Sequence, residues 1–268
     1  MTVREFAQAL LSARTLEGKL RPPPALRDDA PGPALRVEGP ARPPDLVIEP
    51  GGRVRVPPPA AWRDPPQRVR ILHALANHEL QAGELFAWAL LAFPDAPGAM
   101  RRGWLGILAD EQRHCSMYVA CLAANGSRFG AFPVTGHFWR KAKDIATPVQ
   151  FACVMGLTFE NANLDFTGDY VREARAAGDE VSVRALLAIH ADEIRHVRFA
   201  WETLMLLKDP GQSAWDAYVA AVPPPHGPSR ARGTTFDRKS RVLAGLDEDF
   251  IARLEGTSPD APGGAARK

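Results

Sequence analysis

The sequence is poor in cysteine: three residues, Cys115, Cys121 and Cys153, with no C-x-x-C pair among them. This excludes a disulfide scaffold and the thiolate sites that hold structural zinc, a rubredoxin-type iron or an iron–sulfur cluster, and leaves reduced, structural thiols. Long apolar runs are missing too. The longest, Leu85 to Phe93, falls far below the roughly 20 residues that span a bilayer, so no membrane partner is expected. Nor is there an excess of charge of one sign: 33 Lys and Arg face 31 Asp and Glu, a net charge of +2. A general nucleic-acid footprint is thereby excluded, although the local cluster Arg230, Arg232, Arg238, Lys239 and Arg241 leaves a tRNA contact open. The opening stretch MTVREFAQALLSARTLEGKL carries Arg4, Glu5 and Arg14 and has no long apolar centre. It reads as a short amphipathic helix rather than a signal peptide, and a cytoplasmic location is expected.

Prolines are scarce in one long region. Of 25 prolines, 14 lie between Pro22 and Pro66, whereas only Pro133 and Pro148 fall between Met100 and Pro210. The pattern predicts a terminal helix and an extended Pro-rich arm over residues 1–66, a helical body over 67–207, and a C-terminal extension over 208–268 with short helices and a disordered end. Within the body, helices are predicted at about 67–92, 97–124, 148–177 and 179–207. Asp64-Pro65-Pro66 is a start signal, and Asn125-Gly126 and Gly178-Asp179 are stop signals. Short links within each pair, and a connector of about twenty residues from Ser127 to Thr147 between pairs, fit an all-α four-helix bundle with one long crossover. Trp62 is expected to anchor the arm, while Trp88, Trp104, Trp139 and Trp201 are expected to pack.

The two helix pairs repeat a motif. Asp110-Glu111-Gln112-Arg113-His114 returns as Asp192-Glu193-Ile194-Arg195-His196, so D-E-x-R-H occurs twice. About 32 residues before each copy stands a glutamate in apolar surroundings, Glu79 and Glu160. Residues three apart share a helix face, so Glu111 with His114 and Glu193 with His196 each present a carboxylate and an imidazole to one side. Glu79 and Glu160 lie on the apolar faces of their helices. Four ionised carboxylates in an apolar interior demand compensation. Two divalent cations supply it, balancing the four glutamates with both histidines neutral. One Glu from each of two helices and Glu-x-x-His from each of the other two is the ligand set of ferritin-like di-iron and di-manganese proteins. Mixed carboxylate and imidazole donors suit iron first and manganese second.

Around these ligands, Asp110 and Asp192 stand four residues before the histidines, placed to orient them, and Arg113 and Arg195 are placed to neutralise the aspartates. His190, three residues before Glu193, is a further neighbour, whereas His73, His78, His137 and His226 stand alone. Gly83 and Gly156 are expected to leave room beside the metals, with Phe86, Phe159 and Asn163 shaping a pocket. Tyr118 completes E-x-x-H-x-x-x-Y, a spacing that resembles the radical tyrosine position in the small subunit of class I ribonucleotide reductase; a buried, hydrogen-bonded Tyr is the simpler reading.

The segments NHELQAGELFAWALLAFPDAP, LADEQRH, LTFENANLDF, HADEIRHV and KDPGQSAWDAY resemble the bacterial ferritin-like proteins grouped as domain of unknown function 455. More distantly, the D-E-x-R-H repeats are similar to those of bacterial multicomponent monooxygenases, and the compact bundle is similar to the tRNA-modifying di-iron hydroxylase. The resemblance implies a ferritin-like fold and puts the ligands on Glu79, Glu111, His114, Glu160, Glu193 and His196. The function expected is an O2-activating di-iron oxidoreductase that hydroxylates or oxidises a small organic substrate, with electrons from a separate donor protein. The alternatives are a ferroxidase, iron-handling or peroxide-detoxifying protein, and a tRNA-modifying hydroxylase. A homodimer is compatible with each.

Overall fold

The structure, a computed structural model, describes residues 1–48, 54–142, 144–224 and 226–259. The disordered end expected for the C-terminus falls, from residue 260 onward, outside these residues. The fold is all-α. Extended pairing among the described residues is limited to two isolated bridges, Thr2 with Arg27 and Ile48 with Val134. No helix among them is long and apolar enough to cross a membrane. The chain divides into two compact units, Met1–Pro57 with Asp64–Asp144, and Pro58–Arg63 with Ile145–Lys268.

The first unit contains α1 (Val3–Ser12), α2 (Leu16–Leu20), α3 (Pro65–Ala92), α4 (Gly98–Ala124) and α5 (Trp139–Ala142). Thr2 and Glu5 form a capping box on α1, satisfying two amides that the helix start would leave without partners. Pro65 and Pro66 occupy the first turn of α3, where a missing N–H costs nothing. Every residue of α3 from Glu79 to Ala92 is buried, so this helix is enclosed on all sides. Its polar side chains must then find partners inside the protein.

Four of them, His73, Asn77, Gln81 and Glu84, recur at helical spacing and form one stripe. The connector lies along it. Gly130 N donates to His73 Nε2 at 3.0 Å, Asn77 Nδ2 to the Thr135 carbonyl at 3.0 Å, Phe138 N to Gln81 Oε1 at 3.1 Å, and Trp139 Nε1 to Glu84 Oε2 at 2.9 Å. The Pro-rich segment follows α3 as well: Leu35 N donates to the Leu91 carbonyl at 2.9 Å. Arg36 lies over the Trp88 and Phe93 rings. Arg101 of α4 forks onto Asp28 with two 2.7 Å bonds and also donates to the Leu90 and Phe93 carbonyls at the end of α3. These carbonyls have no partner within their own helix.

The second unit contains α6 (Pro148–Val154), a π-helical turn (Met155–Glu160), α7 (Asn161–Ala176), α8 (Glu180–Leu207), α9 (Ala214–Ala221), α10 (Arg238–Leu243) and α11 (Glu248–Gly256). The sequence predicts one regular helix over 148–177; the structure interrupts it with the wider turn that ends at Glu160. Thr158 sits in that turn, its hydroxyl 2.8 Å from the Cys153 carbonyl and 2.9 Å from the Tyr218 hydroxyl. Such turns occur mostly as single insertions within α-helices and often at functional sites. Gly178, at φ +69°, makes the left-handed stop after α7, and Asp179 caps α8 through Ser182 N at 3.2 Å. Residues 58–63 dock on this unit through buried Trp62, whose Nε1 donates to Asp179 Oδ2 at 3.3 Å, and through the Arg63–Glu173 pair at 3.0 Å.

Asp165 on α7 organises the C-terminal segment. Arg241 forks onto it with bonds of 2.7 and 3.0 Å, and it accepts Gly233 N at 2.8 Å and Asp237 N at 2.7 Å. A buried bidentate pair of this kind stands only because hydrogen bonds surround it.

Candidate metal centre

In the first unit, Glu79 on α3 meets Glu111 and His114 on α4. His114 Nδ1 lies 3.6 Å from Glu79 Oε2 and 3.7 Å from Glu111 Oε2. One donor atom from each of the three lies within 4.8 Å of the other two. The i,i+3 spacing puts Glu111 and His114 on one face of α4, and Gly83, one turn beyond Glu79, lies against it. A Cβ at Gly83 would rest 3.4 Å from Glu111 Cβ. Burial, followed by the nearby Glu111 carboxylate, holds the Glu79 pKa well above the usual carboxylate range, against the opposing pull of His114. A divalent cation would reverse that balance, because its own charge becomes the largest in the site.

The second unit carries the second copy of the motif. His196 Nδ1 lies 3.7 Å from Glu193 Oε2 on α8. A Glu160 oxygen, at the end of the π-helical turn, lies within 4.8 Å of a His196 ring nitrogen. Glu193 Oε2 is buried and accepts no hydrogen bond. None of the six side-chain-bearing residues Glu79, Glu111, His114, Glu160, Glu193 and His196 is more than 6% exposed. Buried glutamates around a histidine, at these separations and without thiolate, are a donor set that fits a divalent metal ion bound through oxygen and nitrogen. The three cysteines are buried thiols, and burial pushes the Cys153 pKa up to about 12, far from the thiolate that a metal requires.

The surrounding residues divide. Asp110 accepts a 2.7 Å bond from Arg113, and Asp192 pairs closely with Arg195, so each motif carries its own i,i+3 ion pair. Tyr118 is buried on α4, one turn beyond His114. His190 turns toward α10, its Nε2 3.4 Å from both Asp237 Oδ2 and Ser240 Oγ. Asn163 Nδ2 donates to Glu193 Oε1 at 3.0 Å. Gly156 is required by close packing of α8: a Cβ there would fall 2.2 Å from Ala200 Cβ and 3.6 Å from Glu160 Oε2.

The basic cluster near the C-terminus is largely engaged within the unit. Arg241 is buried against Asp165, Arg238 pairs with Glu248 and Glu255, and Arg232 holds the Glu255 and Thr257 carbonyls.

Two features escape a reading by motif. Gln112, the variable position of the first motif, donates to the Lys19 and Arg21 carbonyls at 2.7 and 2.8 Å. It thereby fastens α2 beside Glu111. Glu84, five residues after Glu79, is a second buried carboxylate on α3, but it serves the arm: Lys19 Nζ and Arg42 Nη2 approach its two oxygens at 2.9 and 2.6 Å. The polar residue at the variable position, and a charge just before the apolar end of α3, are the signals that mark them.

A family model described as Protein of unknown function (DUF455) matches residues 2–252. That span contains every residue described above as a candidate metal ligand. No curated protein and no solved structure gives a significant match.

Proposed function

The chain belongs to the Protein of unknown function (DUF455) family, and we propose that it is a ferritin-like di-iron carboxylate oxidoreductase that uses O2 to hydroxylate or oxidise a small organic substrate. In this reading two irons are held by Glu79, Glu111, His114, Glu160, Glu193 and His196, with manganese able to replace either. The observation that carries it is the duplicated donor set: each unit holds a buried Glu-x-x-His with the acid 3.7 Å from the imidazole, joined by one glutamate from a preceding helix. Four carboxylates and two neutral imidazoles are balanced by two divalent ions, whereas either set without metal leaves buried charge that burial itself opposes.

Bound iron supplies the electrons and open coordination positions on which O2 is activated. The chain's residues do the remainder. Glu79, Glu111, Glu160 and Glu193 would hold the ions as anionic oxygen donors, and the Asp110–Arg113 and Asp192–Arg195 pairs keep charge balanced beside them. Electrons for each turnover come from a separate donor protein.

Metal analysis of protein purified with iron is expected to give about two ions per chain, with the pair Glu111→Ala and Glu193→Ala removing both. Rapid mixing of the ferrous protein with O2 is then expected to consume oxygen and produce a transient visible absorption without uptake of further iron. Continued uptake of many irons per chain would point instead to iron handling, and near-zero binding would overturn the metal assignment altogether.

A further inference from the structure

The two donor sets differ in one residue that lies beside a glutamate. Asn163 stands three residues after Glu160 and donates its amide to Glu193 Oε1 at 3.0 Å. The amide cannot turn over, because the hydroxyl of buried Thr167 donates to Asn163 Oδ1 at 3.3 Å, leaving only Nδ2 to face the carboxylate. Counted from Glu79 in the first unit, the matching positions are Ala82 and Phe86. Neither side chain can donate a hydrogen bond. Asn163 and Thr167 therefore have no counterpart at the matching positions of the first motif.

We infer that Asn163 is a positioning residue that ties up Glu193 Oε1 and presents Oε2 as a one-oxygen ligand, so that the metal position of the second unit differs in affinity from that of the first. This rests on the metal reading above. Glu193 Oε2 lies 3.7 Å from His196 Nδ1 and accepts no hydrogen bond, so the oxygen that the clamp leaves available is on the side of the second donor. The amide also takes up one lone-pair direction of the carboxylate, which opposes two-oxygen chelation. Partners of this kind, bonded to a ligand and not to the metal, typically change metal affinity by about 10- to 100-fold when removed.

The test is an anaerobic titration of the full chain with Co2+, followed by visible absorption and calorimetry. The unaltered protein is expected to bind two ions with distinguishable affinities. Asn163→Ala should weaken one of them about 10- to 100-fold, shift that ion's absorption band, and affect the other less. Thr167→Val, which keeps the amide but frees it to turn, should give a smaller loss at the same ion. Metal-free melting of both variants supplies a structural control: a role in packing alone would lower the melting temperature and weaken both ions together. If the unaltered protein binds two ions and Asn163→Ala leaves both affinities and spectra unchanged, or moves both equally, the positioning role is wrong while the metal reading stands. If the unaltered protein binds none, the metal reading itself fails and the inference with it.

Discussion

Arg42 Nη2 lies 2.6 Å from Glu84 Oε2, and both side chains are buried. Arg42 belongs to the Pro-rich arm and Glu84 to the enclosed middle of α3, so the pair fixes an extended segment to the most buried helix of its unit. Lys19 Nζ reaches the other oxygen at 2.9 Å, and burial pulls the Lys19 pKa down although Glu84 opposes it. Removing the shared anion strands two cations away from water. Glu84→Ala is therefore expected to destabilise the protein by about 3–5 kcal/mol, read as a fall in the urea midpoint. Limited proteolysis should cut within residues 21–60 before the helices are attacked. A variant within about 0.5 kcal/mol of the parent would show that this carboxylate does not hold the arm.

The two carboxylates of α3 also mark how far the sequence could be read. The limits of α3, α4 and α8 are legible because they are set locally, by Pro65 and Pro66, by Asn125-Gly126 and by Gly178-Asp179, and a cap needs only a few neighbouring residues. The donor residues are legible because a three-residue spacing and its repetition are properties of the chain alone. Glu84 is not legible in the same way. It and Glu79 are both acids in an apolar helix, and what separates their tasks is the arrival of Lys19 and Arg42 from distant positions. The π-helical turn is likewise hidden, since it accompanies a hydrogen bond between the hydroxyls of Thr158 and Tyr218, sixty residues later in the chain. Gly156 illustrates the opposite case: its smallness is visible in the sequence, but only the position of Ala200 says what the missing side chain makes room for.

His73 predicts an acid sensitivity with a defined sign. Its Nε2 accepts the Gly130 amide at 3.0 Å, which requires a neutral ring with the proton on Nδ1. Burial, followed by the Arg128 charge, lowers its pKa from 6.5 to about 4, with Asp45 pulling the other way. The unfolded chain therefore binds this proton more readily than the folded one, so stability is lost as pH falls from about 6.5 toward 4 and is unaffected above that window. The loss attributable to His73 should be roughly 2 kcal/mol once solvent screening is allowed for. His73→Gln keeps an acceptor without a titrating ring. Urea midpoints at pH 7.5 and pH 4.5 should differ less for this variant than for the parent; equal differences would remove His73 from the acid response.

Gly156→Ala offers a test whose sign is diagnostic. In an ordinary helical position the change stabilises by up to about 1 kcal/mol, because alanine has less backbone freedom to lose. Here the added Cβ would lie 2.2 Å from Ala200 Cβ, too close for any pair of carbon atoms, and the backbone of α8 must shift to admit it. Forced overpacking of this kind costs about 1–3 kcal/mol. Ala200→Gly removes the obstructing methyl group but weakens α8 by about 1 kcal/mol. The two changes should therefore couple: the double variant is expected to be more stable than the sum of the single losses allows, by about 1 kcal/mol or more. Urea unfolding of the parent, both single variants and the double variant measures that coupling in the metal-free protein. A stabilising Gly156→Ala, or single effects that simply add, would mean that the π-helical turn and α8 do not approach as closely at this point as the structure places them.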